Sequence, residues 1–269
     1  MHGGNIFAGE IFLSPSAYQT DTFPTIEEHI KPPPGYKRVD VILGSFADYL
    51  RKLPVVDGLS AVKDYKNRQR VAANDSALAA VIPVDIMDKP LWQCMDIILV
   101  FYADYLKQNK KQDEIKFPLP DGTILSWNDW MKGSRPAFQG LNFKIFNKAS
   151  PDSSAKNYKR YLNCIFEYSG TQTFFYNYPQ VQINDLKPGN FIVKKGPKGH
   201  AVLIIDLAVN EKGERIALIG QGDTPACQFY LLQNKQGSPW FKVTENEYPG
   251  LPIRKKMYWS GLRRFPAFE

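Results

Sequence analysis

Apolar and polar positions between residues 196 and 221 predict a buried β-hairpin. Residues 201–207 are apolar almost throughout, residues 215–219 repeat that pattern, and a turn-like segment at 210–213 separates them. Strands that are apolar on both faces are normally covered on both faces. His200 directly precedes the first strand, so we expect it at the edge of a core, either as a functional group or as a half-buried histidine with satisfied hydrogen bonds.

Residues 90–108 carry the strongest helix pattern in the chain. Their apolar side chains form two stripes at helical spacing, so most of the circumference is apolar and the helix should be buried. Asp88 precedes the segment as a candidate cap. Cys94 falls in the first turn or two, where free backbone N–H groups and the helix dipole lower a thiol pKa. The alternative is that Cys94 is a small core residue.

The remaining pattern predicts one α+β domain over residues 36–269, preceded by an irregular arm at 1–35. We expect the 90–108 helix to pack on an antiparallel sheet that contains residues 191–193, 201–207 and 215–219. The other predicted elements are a helix at 45–53 capped by Ser45 and stopped by Pro54, a strand at 78–86, a hairpin at 115–127, a short helix from 128, a loop at 133–136, a helix from 153 to at least 168, and a strand at 228–232.

Charge and composition exclude several classes. The formal charge of +7 is spread over short basic groups that build no nucleic-acid motif. No apolar run approaches the roughly 20 residues that span a bilayer, so we expect a soluble protein without a transmembrane segment, and its export stays open. Three scattered cysteines make neither a disulfide framework nor a metal motif. With only three histidines, of which His2 and His29 lie in the arm, we expect no metal cofactor.

Cys94 on a buried helix, followed much later by His200 at a strand start, is the order found in papain-like cysteine hydrolases. The local sequence is consistent with this order, because a Pro188-Gly189 turn, a short strand and a loop lead to Gly199-His200. This segment resembles the NlpC and CHAP branches, which cleave peptide or amide bonds in bacterial cell walls. The resemblance implies a papain-like core in which Cys94 is the nucleophile and His200 its base.

A second resemblance covers most of the chain. Successive segments are similar to landmarks of a bacterial domain-of-unknown-function family, among them SFADYLRKLP, LWQCMDIILVFYADYL, FEYSGTQT and GHAVLIIDLA. That family has no assigned activity. In its pattern the loop after the hairpin reads Gln-Ser-Tyr-Met-Pro-Ala-Gln, so Gln221 matches and Cys227 departs.

A working Cys-His dyad needs a third group to orient the imidazole, and Gln221 is our candidate. A two-residue hairpin turn would place Gln221 opposite Val202, on the face of His200. A three-residue turn with a bulge at Gly213 fits the sequence better, and there Gln221 points away unless a further bulge corrects the register. Asp206 is a distant second candidate, because six residues of strand place it about 20 Å from His200.

Two functions remain open. The first is a cysteine amidase or peptidase that acts on cell-wall peptide or a related amide, with Trp92, Gln93 and Arg135 as candidate substrate contacts. The second is a non-catalytic module on the same fold that binds a glycan, peptide or protein. The distance between the Cys94 sulfur and a His200 ring nitrogen discriminates between them, since roughly 3–4 Å would favour catalysis. In that case Cys94 should be alkylated at lower pH than Cys164, which we expect to be a core residue.

Overall fold

The computed structural model describes residues 23–56, 60–86 and 89–266. It is an α+β fold in which helices and an antiparallel sheet pack together, as the sequence predicts. The helices are α1 (Ile26–His29), α2 (Phe46–Arg51), α3 (Cys94–Gln108), α4 (Trp127–Met131), α5 (Ala155–Tyr168) and α6 (Thr171–Asn177). The strands are β1 (Tyr36–Arg38), β2 (Val62–Lys63), β3 (Gln69–Val71), β4 (Leu78–Ile82), β5 (Lys116–Pro118), β6 (Ile124–Ser126), β7 (Ser134–Gln139), β8 (Asn142–Asn147), β9 (Phe191–Lys194), β10 (His200–Asn210), β11 (Arg215–Gln221), β12 (Phe229–Leu232), β13 (Trp240–Val243) and β14 (Leu262–Arg263).

The central sheet is antiparallel throughout. Among the described residues it has eight strands, and β14, β9, β10, β11, β12 and β4 lie side by side in that order. Strand β1 pairs with the C-terminal part of β10, and β13 pairs with the N-terminal part of β11. The predicted strands 191–193, 201–207 and 215–219 therefore lie next to one another. Helix α3 packs on β10, which confirms the predicted packing.

Both faces of β10 are buried, as the apolar run predicts. Ala201 and Leu203 belong to the core that contains α3, whereas Val202 and Ile204 belong to a second core on the opposite face of the sheet. Because side chains alternate along a strand, His200 shares the face of Val202. The imidazole and α3 thus approach the sheet from opposite sides.

The register of the β10–β11 hairpin combines a three-residue turn with a bulge. Asn210 N–H donates to Glu214 C=O, and Gly213 takes the positive φ of 78° that the turn requires. A register shift between Ile204 and Asp206 then removes one residue of offset, so Leu203 pairs with Gly220. The bulge lies in β10 and not near Gly220, and it returns Gln221 to the face of His200.

Helix α3 begins at Cys94, four residues later than predicted. A turn closed by Trp92 N–H on Lys89 C=O precedes it, and the Asp96 carboxylate accepts from Gln93 N–H at 3.0 Å. Gln93 therefore occupies the N-cap. Asp88, the candidate cap, lies outside the described residues. The late start puts Cys94 at the first helical position, where backbone N–H groups have no partner within the helix.

Two segments differ from the sequence prediction. The predicted loop at 133–136 is part of a hairpin of β7 and β8, in which Pro136 pairs with Ile145 on a two-stranded sheet that tolerates proline at its edge. Within the predicted arm, α1 forms because Thr25 and Glu28 make a reciprocal capping box, and Ile26 is buried in the main core.

Candidate active site

His200 and Gln221 are hydrogen-bonded at the end of the central sheet. The distance between His200 Nε2 and Gln221 Oε1 is 2.6 Å, and both side chains are 2% exposed. An amide oxygen can only accept, so Nε2 carries the proton and the neutral ring keeps its lone pair on Nδ1. Gln221 Nε2 donates in turn to the Tyr230 hydroxyl, which extends the hydrogen-bonded chain from the ring to β12. The arrangement leaves Nδ1 as the basic atom of the ring.

His200 Nδ1 is buried and has no hydrogen-bond partner within the described part of the chain. Buried ring nitrogens are normally paired, and an unpaired one costs about 1–3 kcal/mol. Nδ1 is therefore not engaged by any protein group among the described residues.

Cys94 reaches the start of β10 from the first position of α3. Its sulfur lies near Ala201 N–H, the amide that follows His200, and this N–H acts to lower the pKa of the thiol. The side chain is 5% exposed, and Gly222 lies close to the Cys94 backbone, since a Cβ on Gly222 would be 3.6 Å from the Cys94 Cα. Thiol and imidazole thus lie at the same strand end without a direct hydrogen bond.

Electrostatics keep both groups of this pair neutral. Burial, with a further contribution from Asp96, raises the pKa of the Cys94 thiol to about 12, and the Ala201 N–H lowers it only in part. Burial also lowers the pKa of His200 below 6.5, although the bond to Gln221 acts in the opposite direction. The expectation that the helix start lowers the Cys94 pKa is therefore wrong for the resting protein, because burial outweighs the dipole.

A loop ties the start of α3 to the end of β11. The Thr224 hydroxyl donates to Gln93 Oε1 at 2.9 Å, and Gly222 lies between them against Cys94. Gln93 is therefore half-buried at the rim of the site, where a substrate contact is feasible. Beside this loop a cleft of about 310 Å³ opens on His200, Gln221 and Tyr230.

The other two candidate substrate contacts lie in structural positions. Trp92 is 0% exposed, with its ring edge-on to Phe166 in the main core. The Arg135 guanidinium stacks on the Trp130 ring at 3.9 Å and donates to Trp130 C=O. Trp92 therefore presents no surface to a substrate, whereas the half-buried Arg135 stays a candidate contact that no observation tests.

Asp206 is not the orienting group. Its carboxylate is fully buried and accepts from Arg38 at 2.6 Å and from Arg51 at 2.6 Å, near the opposite end of β10. This ion cluster joins β1 and α2 to the sheet. The role of Asp206 is thus to hold the fold together.

The two further thiols differ in exposure. Cys164 is half-buried on α5, and burial raises its pKa to about 11. Cys227 is buried close to the site, and burial with the nearby Asp223 charge raises its pKa to about 12. Cys164 is therefore the most accessible of the three, against the ranking expected from sequence.

Across the described residues, no group of three or more His, Cys, Asp or Glu side chains is placed to hold a metal ion. His29 ends α1, and His2 lies outside those residues. Over the same residues no helix is both long and apolar enough to cross a membrane.

Sequence reasoning missed two residues of the site. Tyr230 reaches Gln221 because β12 pairs with β11, and its place in an apolar strand gives no sign of this contact. Lys255 Nζ donates to Gly199 C=O at 2.8 Å, from a segment far along the chain. The short basic group at 254–256 was the available signal, but nothing in it indicates where the segment folds back.

A family model described as domain of unknown function (4846) matches residues 26–254, which is most of the chain. This confirms the resemblance to a domain family without assigned activity. No curated protein and no solved structure matches the chain, so the papain-like resemblance stays a prediction.

Proposed function

We propose that this chain, which belongs to the family described as domain of unknown function (4846), is a cysteine-dependent amidase or peptidase with a Cys94-His200-Gln221 site on a papain-like core. The observation that carries the proposal is the unpaired, buried Nδ1 of His200, on a ring whose Nε2 is held by Gln221. A general base needs this arrangement, with one ring nitrogen fixed and the other free to take a proton.

The chemistry starts from a neutral thiol and a neutral imidazole. When substrate enters, the Cys94 sulfur transfers its proton to His200 Nδ1 as it attacks the carbonyl carbon. The carbon–sulfur bond forms, and the imidazolium returns the proton to the departing amine as the carbon–nitrogen bond breaks. A water molecule then gives a proton to Nδ1 and attacks the thioester, which releases the acid and restores the thiol.

The start of α3 supplies stabilisation for the oxyanion. Cys94 is the first helical residue, so its own N–H has no acceptor within the helix and adds the positive end of the helix dipole. A donor of this kind contributes on the order of 10²–10³ in kcat. Free-enzyme geometry is commonly looser than that of the substrate complex, and the proposal requires the Cys94 sulfur to approach His200 Nδ1 when substrate binds.

The second candidate is a non-catalytic module that binds a peptide, a glycan or a protein partner. The observations that favour it are that the Cys94 sulfur and the His200 ring are not hydrogen-bonded to each other and that burial raises the pKa of the thiol to about 12. In this case the cleft beside His200 binds its ligand without turnover.

Cleavage in ¹⁸O-labelled water separates the two candidates. Purified cell-wall peptide fragments and a pool of N-acetyl tetrapeptide amides are incubated with wild type, Cys94→Ala, His200→Ala and the control Cys164→Ala, and products are read by mass spectrometry. If the protein is a hydrolase, we expect one ¹⁸O in a new carboxyl group with wild type and with Cys164→Ala, and no cleavage with Cys94→Ala or His200→Ala. Cleavage that survives in Cys94→Ala, or no cleavage with any protein, would contradict it.

A further inference from the structure

The cleft beside His200 has walls from three separate parts of the chain. Arg70 comes from β3, Asp223 from the loop after β11, and Arg254 with Lys255 from the segment after β13, while His200 lies among the lining residues. Its volume of about 310 Å³ lies at the lower end of the roughly 300–1,000 Å³ usual for small-ligand sites. The cleft is thus a local site next to the proposed base.

Three cations line this cleft without a charged partner. Among the described residues neither Arg70 nor Arg254 nor Lys255 forms an ion pair, although five other basic residues in the described chain pair with aspartates within 3 Å. Lys255 Nζ donates one hydrogen bond to Gly199 C=O. Its charge lowers the pKa of His200 and of Cys94, so the ammonium lies within electrostatic range of both.

The acidic groups of the cleft are already engaged. Asp75 Oδ1 accepts from Ala77 N–H at 2.8 Å, and Asp223 Oδ1 accepts from Thr224 N–H at 2.7 Å, so each carboxylate stabilises the turn of its own loop. Three cations therefore face two carboxylates that they do not contact. Within the described part of the chain the guanidinium groups of Arg70 and Arg254 form no ion pair, and the spacing of their N–H donors matches the two oxygens of a carboxylate.

We propose that this cleft binds a carboxylate of the substrate through Arg70 and Arg254, with Lys255 completing the positive wall, so that the hydrolase acts on acidic peptides or amides. The assignment names the substrate class for the proposed function and rests on it. A neutral substrate would leave the three cations in excess over two carboxylates that they do not contact, whereas a substrate carboxylate gains charge-assisted bonds.

Binding of a small dicarboxylate tests this without any turnover. Isotope-labelled Cys94→Ala protein is titrated with glutarate and, as the neutral match, glutaramide, and amide shifts are followed by NMR. We expect saturable shifts around Asp223 and Thr224 with glutarate only. Arg70→Gln and Arg254→Gln, both exposed positions, should weaken binding about tenfold each, since each variant loses a charge-assisted hydrogen bond to the carboxylate. Lys212→Gln, at the far turn of the hairpin, should leave the Kd unchanged.

Equal binding of glutaramide, or an unchanged glutarate Kd in both arginine variants, would overturn the assignment. Absence of any glutarate shift would overturn it as well. These outcomes are independent of cleavage: glutarate binding without turnover of any peptide would contradict the hydrolase and leave the carboxylate site standing. Where wild type does cleave, tetrapeptides with glutamate should be preferred over their glutamine matches, and Arg254→Gln should abolish that preference while cleavage of the glutamine peptide persists.

Discussion

The His200 ring and the Gln221 amide meet at 2.6 Å because β10 carries one extra residue near Ile205. Without this bulge, the three-residue turn of the hairpin would direct Gln221 to the opposite face of the sheet. The site therefore depends on a backbone irregularity several residues away from the groups that it aligns.

Replacing Gln221 should slow the chemistry and leave binding intact. Gln221→Ala removes the acceptor of Nε2–H, the ring loses its fixed tautomer, and part of the roughly 10²–10⁴-fold contribution of a general base is lost. The measurement is the rate at which a peptidyl acyloxymethyl ketone, a substrate-like electrophile, labels Cys94. Tyr230→Phe should lower the labelling rate less, because it removes only the hydrogen bond from Gln221 Nε2 and leaves the Gln221 Oε1 acceptor in place. Gln236→Ala, at an exposed glutamine, is the control, and an unchanged rate in Gln221→Ala would assign the orientation of His200 to another group.

The pH profile should rise through a midpoint below 6.5. Burial lowers the pKa of His200, and only the neutral ring accepts the Cys94 proton, so labelling is lost as the pH falls through that lowered pKa. No alkaline loss is expected near neutrality, because the thiol pKa is raised to about 12. A bell-shaped profile centred near pH 6 would instead indicate a thiolate–imidazolium pair.

The same shift makes stability depend on pH. The native state binds the His200 proton less tightly than the unfolded chain does. This group therefore costs no stability above pH 6.5, and it lowers the free energy of unfolding progressively as the pH falls from 6.5 through the native pKa. Urea unfolding of wild type and His200→Gln across this range checks the sign. The stability difference between the two proteins should shift towards the variant in acid, and a pH-independent difference would contradict a lowered pKa.

Small reagents should label Cys164 before Cys94. Iodoacetamide gains no binding energy at the cleft, so it reports exposure and resting pKa, and both favour Cys164. Thr224→Val removes the hydroxyl bond to Gln93 and should accelerate Cys94 labelling without affecting Cys164. Mass mapping over time gives both rates. If Cys94 is the fastest-reacting thiol in wild type, that result would contradict the burial of Cys94.

Asp206 should matter for stability alone. Asp206→Asn leaves Arg51 buried without its carboxylate and should lower the free energy of unfolding by about 3–5 kcal/mol. Lys52→Gln, which breaks an exposed pair, should cost less than about 1 kcal/mol. Denaturant titrations measure both. A slower reaction of Cys94 in still-folded Asp206→Asn would give Asp206 a part in the site.

The sequence predicted the elements that local pattern determines. The apolar run after His200, the turn with Gly213 and the two stripes of α3 each follow from spacing alone, and they place Cys94 and His200 at a common strand end. Gln221 is a candidate from sequence, but the register counted from the preferred three-residue turn directs it away from His200. The bulge that decides the register has no sequence signal.

The rest depends on tertiary packing. Tyr230 and Lys255 reach the site through contacts between distant parts of the chain, which spacing cannot encode. The Cys94 pKa was predicted in the wrong direction because the dipole of a helix is visible in sequence, whereas the depth of burial is not. Trp92 was assigned to the substrate from its place beside Cys94, but the turn before α3 directs its ring into the core.

Intact-protein mass spectrometry after exposure to the peptidyl acyloxymethyl ketone tests the central claim most directly. Loss of the acyloxy group forms one thioether, and peptide mapping locates it. The account predicts a single adduct on Cys94 in wild type and in Cys164→Ala, and none on the same timescale in His200→Ala, while iodoacetamide still labels Cys164 in that variant. An adduct rate on Cys94 that is equal in wild type and His200→Ala, or a Cys94 that stays unmodified in wild type, would contradict an imidazole that activates this thiol.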